Sequence, residues 1–192
     1  MAKPLNIIIP VKGFRDGKSP LAETLTVDER ISLNGYLAAR TLKVATSAFP
    51  NARMTVVSPD PSLKKLARSH DVSLIEQKRA GLNAGLAEAA AALPRVRTVI
   101  IASDLPDLTE KDMEHLVSVT GIGIAPDESG HGTNALSLPN PHSISFKFGR
   151  RSCGAHSAEA QKTRFSIEFV RRSGLAFDLD AKDDLSRLKG WP

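Results

Sequence analysis

A single cysteine in 192 residues, Cys153, leaves nothing to pair with in an internal disulfide and suits a reducing compartment. Long apolar runs are missing as well. Ile7-Ile8-Ile9 stops at Pro10 with Lys12 close behind, too short for a signal peptide, and no stretch reaches the ~20 apolar residues of a membrane span. Aromatics make up only 5%, with one Trp and one Tyr, and the basic residues are scattered rather than blocked. Nucleic-acid modules concentrate base and aromatic together, so that class is disfavoured. Glycine and proline contents are ordinary, which argues against disorder. The chain is therefore expected to be a cytoplasmic protein forming one domain over residues 1–192, with enough apolar residues for a packed core. Its net charge of +5 suits a small phosphate-bearing ligand better than a polymer.

Strand and helix patterns alternate. Residues 5–11 read as a strand buried on both faces, and Thr26-Val27-Asp28-Glu29 has the spacing of a capping box opening a helix through Ile31, Leu37, Ala38, Leu42 and Ala45. Strands follow at 54–57, 72–75, 96–102 and 123–125. Helices are expected after Asp60-Pro61, over 82–93 and after Thr109-Glu110-Lys111-Asp112. This rhythm implies right-handed crossovers and a three-layer α/β sheet, whose ligands sit beyond the carboxyl ends of the strands. After Asp127 the segments shorten and Gly, Ser and Pro become frequent, so a mixed-sheet second half is expected to close over the first.

The chemistry-bearing residues fall at those strand ends. Thr98-Val99-Ile100-Ile101-Ala102-Ser103-Asp104 is a β-branched run ending on an acid, and Asp178 and Asp180 flank Leu179 in a segment where side chains two apart share a face. Three carboxylates at strand ends suit Mg²⁺ with phosphate partners. After the first strand, residues 10–19 hold Lys12, Gly13, Arg15, Gly17 and Lys18. Such a loop can cradle phosphates on backbone N–H groups, although its glycine spacing is neither a Walker loop nor a dinucleotide fingerprint. Gly81-Leu82-Asn83 opens a helix; ordinary capping is the simpler reading, a nucleobase edge the sharper one. The loop 126–134 carries Thr133 and Asn134, and Gly149-Arg150-Arg151-Ser152 precedes another helix, with Ser152 as its expected N-cap. His131 reads as a surface histidine. Cys153 and His156 lack a third group and read as incidental helix residues rather than a nucleophile pair. Asp183 and Asp184 look like the acidic first turn of a last helix over 182–188.

Taken in order, Ile9-Pro10-Val11-Lys12-Gly13-Phe14 with Lys18-Ser19, Val57-Ser58-Pro59-Asp60, Gly81-Leu82-Asn83, Asp104-Leu105-Pro106, Pro126-Asp127 with Gly132-Thr133-Asn134, Phe148-Gly149 with Ser152 and His156, and Leu175 through Asp180 resemble the 2-phospholactate/phosphoenolpyruvate guanylyltransferase family of coenzyme F-420 biosynthesis. The resemblance spans nearly the whole chain. It implies a nucleotidyltransferase fold of the glycosyltransferase-A type with a mixed central sheet, acting on GTP and a phosphorylated three-carbon acid (phosphoenolpyruvate, 2-phospholactate or 3-phosphoglycerate) with diphosphate released. It also implies Mg²⁺ on Asp104, Asp178 and Asp180. Lys12, Gly13 and Lys18 would face the GTP phosphates, Gly81 and Asn83 the guanine, and Thr133, Gly149 and Ser152 the phospho-acid. Lys12, Lys18 and Asp104 would carry the catalysis. A homodimer and hand-off of a labile product to a downstream transferase remain open expectations. Two positions depart from the family pattern: Pro20 stands where an arginine is expected, a loss that Arg15 would have to cover, and Ser103 where a small apolar residue is usual. Other transferases of the same fold, including a sugar transferase using Asp178-Leu179-Asp180, and a non-catalytic GTP- or anion-binding relative, are the competing readings.

Overall fold

The computed structural model describes residues 3–15, 17–188 and 190–191; Asp16 of the basic loop falls outside them. Seven strands form one sheet in the order β3-β2-β1-β4-β6-β5-β7, where β1 is Leu5–Pro10, β2 Arg53–Ser58, β3 Ser73–Glu76, β4 Arg97–Ile101, β5 Ile122–Pro126, β6 Thr133–Leu138 and β7 Ile167–Phe169. Strands β3, β2, β1 and β4 run parallel. Strand β6 is inserted antiparallel between β4 and β5, which makes the sheet mixed.

The continuous apolar strands are explained by burial on both faces. Ile7 and Ile9 of β1 join one core cluster and Ile8 the other, and Val99, Ile101 and Ile100 of β4 divide in the same way. One face is covered by α1 (Val27–Ala48), α2 (Lys64–Ser69) and α4 (Glu110–Ser118), through residues such as Ala38, Leu42, Leu66 and Met113. The other is covered by α3 (Leu82–Ala92) and α5 (Ser152–Gln161), through Leu86, Ala89 and Ala160. Both capping boxes form, at Thr26 with Glu29 and at Thr109 with Asp112.

Two expectations are corrected. In α1 the buried position is Leu33, whereas Ile31 is only half-buried, because the apolar stripe begins one half-turn later than the sequence spacing implied. Ser152 does not cap α5: Arg151 takes that place in the left-handed region at φ 57°, without a side-chain cap bond, and Ser152 is the first helical residue. The expected last helix forms as a 3₁₀ stretch, Lys182–Arg187, with Asp183 and Asp184 in its first turn.

This topology brings distant pieces of chain to one edge. The carboxyl ends of β1, β2, β3 and β4 share it. Because β6 runs against β4 and β5, its first residue, Thr133, and the last residue of β5, Pro126, lie at that same edge. A short helix α6 (Ser173–Ala176) then leads the chain back to it with Asp178 and Asp180.

Candidate active site

A cleft of about 800 Å³ opens over that edge. It is lined by Thr133, Gly149 and Ser152, by Lys12, Lys18 and Gly81, and by Asp104, Asp178 and Asp180. Nine of the eleven residues singled out from the sequence therefore meet. Gly13 does not line the cleft; it sits buried behind the loop, where its carbonyl accepts from the Gly17 N–H. Asn83 does not line it either. Its amide is engaged at both ends by the Phe148 backbone, donating to the carbonyl at 2.9 Å and accepting the N–H at 2.8 Å. Its side chain thus ties α3 to the segment before Gly149 rather than offering itself to a base edge.

Lys18 is the centre of the arrangement. It sits at φ 56° with its side chain almost wholly buried, and its Nζ lies 2.5 Å from Asp104 Oδ2 and 3.1 Å from Asp180 Oδ1. Burial alone would lower the lysine pKa; the two carboxylates outweigh it and hold it above its ordinary value. Asp178 behaves in the opposite way. Burial, with the charges of Asp104 and Asp180 close by, pushes its carboxyl up to about 6, although Asn134 Nδ2 donates to Oδ1. That acid is short of positive charge.

Local packing sets these positions. Leu179, fully buried between the two exposed-edge acids, packs with Leu21, Leu33 and Leu37, so Asp178 and Asp180 must face away from this small cluster and into the cleft. Leu21 follows Lys18 by three residues and shares the cluster, which brings the basic loop and the acid segment into one unit. Asn34 Nδ2 donates to the Phe14 carbonyl and the Phe14 N–H donates to Asp60, pinning the loop from both sides. Asp60 is held below its ordinary pKa: burial would raise it, but bonds from Ser62 and Phe14 prevail.

Asn134 is the residue that sequence reading undervalued. Its Nδ2 donates to the Leu175 and Ala176 carbonyls, each at 3.0 Å, and to Asp178. One buried amide therefore fixes the approach of the acid segment. Its partners lie more than forty residues further along, where no local pattern could have pointed to them. Arg172 makes a second tie, donating from Nε to the buried Asp112 at 2.7 Å just ahead of α6.

Among the described residues, no three His, Cys, Asp or Glu side chains form a ready-made metal cage. The expected three-acid cage is thus not preformed: an ammonium stands between two of its members. The donor set nevertheless fits a hard cation of the kind that takes one or two carboxylates and completes its shell with water and phosphate oxygens. The raised Asp178 carboxyl supplies the supporting observation, since a nearby cation would relieve the repulsion it shares with Asp104 and Asp180.

Comparison with known proteins places this geometry in context. The family profile "Guanylyl transferase CofC like" matches residues 5–189. A phosphoenolpyruvate guanylyltransferase of Sphaerobacter thermophilus is 34% identical over 189 residues, covering 95% of this chain and 91% of its own. A 3-phospho-D-glycerate guanylyltransferase of Phenylobacterium zucineum is 31% identical over 195 residues, covering 96% and 89%. Among solved structures, a nucleotidyl transferase from Methanothermobacter superposes with a TM-score of 0.71 at 13% identity, over 97% of this chain and 96% of that one. The fold is the three-layer nucleotidyltransferase, glycosyltransferase-A-like class expected from the sequence.

Proposed function

This chain belongs to the CofC-like guanylyl transferase family, and we propose that it moves GMP from GTP onto the phosphate of a phosphorylated three-carbon acid, in the route to the deazaflavin coenzyme F-420. A phosphate oxygen of the acid attacks the α-phosphorus of GTP; the bond to the bridging oxygen breaks and diphosphate leaves with that oxygen. The attacking phosphate is already anionic near neutral pH, so no strong general base is needed, in keeping with a cleft whose charged lining includes Lys12, Lys18 and the three acids. The difficulty is to bring two polyanions together. The observation that carries the reading is Lys18, a buried ammonium held between Asp104 and Asp180 in a cleft that Thr133, Gly149 and Ser152 also line.

In this reading Lys12 and Lys18 neutralise GTP phosphates. Thr133 and Ser152 donate to the acceptor acid, with Gly149, at φ 127°, turning the chain between them in a conformation L side chains resist. Asp104, Asp178 and Asp180 would hold Mg²⁺, which when bound supplies positive charge to the phosphate oxygens as the displacement proceeds. Phosphoenolpyruvate and 3-phosphoglycerate head the acceptors on the strength of the relatives' names, and 2-phospholactate remains a third. We place the enzyme in the cytoplasm, handing a labile product to a transferase that consumes it.

Diphosphate release with Mg²⁺ tests the proposal, run with GTP, CTP and UTP against the three acids in turn. Release from GTP with one acid is the expected result and names the acceptor. Equal release from CTP, or none with any acid from a folded protein, would rule the proposal out.

A further inference from the structure

His156 lies on α5 with no exposed surface, and nothing in the chemistry above uses it. Its two ring nitrogens meet different partners. The Lys147 backbone N–H donates to Nε2 at 2.9 Å, and Nδ1 lies 3.0 Å from Thr133 Oγ1. A backbone amide can only donate, so Nε2 is the bare nitrogen and Nδ1 carries the proton. The main chain therefore dictates the tautomer. Burial keeps the ring neutral, pushing its pKa down to about 4 against the pull of Glu159 and in concert with Lys147. The Phe148 ring meets it edge-on, with centroids 4.7 Å apart.

That tautomer has a consequence for Thr133. A hydroxyl offers one proton and two lone pairs. One lone pair accepts Nδ1–H, so the hydroxyl cannot donate back to the histidine, and among the described residues its own proton has no acceptor. Thr133 is 8% exposed and what it exposes lines the cleft. An unconstrained hydroxyl is as ready to accept as to donate. One whose lone pair is occupied from behind presents its proton outward, the polarity an anionic oxygen requires.

We propose that His156 is a positioning residue whose main-chain-fixed tautomer commits the Thr133 hydroxyl to donate to an anionic oxygen of the acceptor acid, an inference resting on the phospho-acid reading of that end of the cleft. The same Nε2 contact, with the two bonds between Asn83 and Phe148, pins residues 147–148 immediately before Gly149. The wall carrying Gly149 and the donor at Thr133 are thereby set by one imidazole.

Two measurements test this. Long-range ¹H–¹⁵N correlation spectra of the histidine rings read the tautomer in the wild-type protein without turnover, with His156 assigned by its loss in His156→Gln. A neutral Nδ1–H ring at pH 7 is expected; an Nε2–H tautomer or an imidazolium overturns the inference. Steady-state diphosphate release then separates the substrates. Thr133→Val should raise the KM for the phospho-acid about tenfold or more, as expected for losing a bond to a charged acceptor, with the KM for GTP changed less than about twofold. His156→Gln, which can still accept the Lys147 N–H but has no donor at the Nδ1 position, should do the same. His156→Asn, whose amide nitrogen stands where Nδ1 stood, should recover most of the loss. In a Thr133→Val background His156→Gln should add nothing, whereas a packing role predicts additive losses spread over both substrates and would overturn the inference. Silence of the wild type with every phospho-acid would defeat the functional reading, while an active wild type with an unaffected His156→Gln would defeat only this one.

Discussion

Lys18 holds a charge where burial alone would discourage one, and it does so because two carboxylates face it. Removing the ammonium leaves Asp104, Asp178 and Asp180 to repel one another. Lys18→Ala should therefore cost about 2–3 kcal/mol in metal-free buffer, less than the ~3–5 kcal/mol of a fully buried pair because Asp180 is exposed, and millimolar Mg²⁺ should restore part of it. Thermal melts with and without Mg²⁺ measure both effects; a loss that Mg²⁺ leaves untouched would mean the acids do not accept a cation there. His156 gives the pH dependence. Its folded pKa of about 4 lies below the ordinary 6.5, so between those values the unfolded chain binds more protons and stability falls as pH drops through the window. The total approaches about 3 kcal/mol, and urea melts from pH 7 to 4 should show a flatter profile for His156→Gln. At this scale the sequence disclosed the charged participants but not their pairing. Asp104, Asp178, Asp180 and the lysines announce themselves by type and position, whereas the clasp of Lys18 on Asp180, across 162 residues, leaves no local trace. The partner of Asn83 is hidden in the same way: an amide near a helix start shows nothing of the Phe148 backbone, 65 residues on, that engages it.

Helix α5 illustrates how an element can be legible while its end is not. Small and polar residues from Ser152 onward announce a helix, and Ser152 has the side chain of a cap, yet the cap is Arg151 in the left-handed region. With Arg151 at φ 57°, Ser152 opens the helix as a buried residue that lines the cleft. Left-handed backbone costs an L residue about 1 kcal/mol that glycine avoids. Arg151→Gly should accordingly raise stability by about 1 kcal/mol in chemical denaturation while weakening substrate binding, because the cleft loses a cation. Strands β1, β2 and β4 were readable because burial on both faces writes an uninterrupted apolar run. Strand β6 was not, since Thr133-Asn134-Ala135-Leu136-Ser137-Leu138 follows a polar glycine-rich loop and mixes site residues with core.

Across the whole molecule, the cleft depends on a satellite cluster as much as on the main core. Leu179 joins Leu21, Leu33 and Leu37 there, with Leu185, Leu188 and Trp191 packed around them. Leu179→Ala should cost about 2–4 kcal/mol, with the loss concentrated at the front of the molecule. Hydrogen exchange should then speed up in residues 17–25 and 175–188 while the central strands stay protected; uniform acceleration would show that the cluster and the sheet unfold as one. The separation of Lys18 from Asp180 reaches further still. All seven strands are complete in sequence by Phe169, so Asp178 and Asp180 are translated after every strand of the sheet they serve. At about 5–20 residues per second, roughly ten to thirty seconds divide the synthesis of Lys18 from that of Asp180. For the later part of that interval the Lys18 ammonium has only Asp104 to pair with, and the second carboxylate of the clasp follows the sheet.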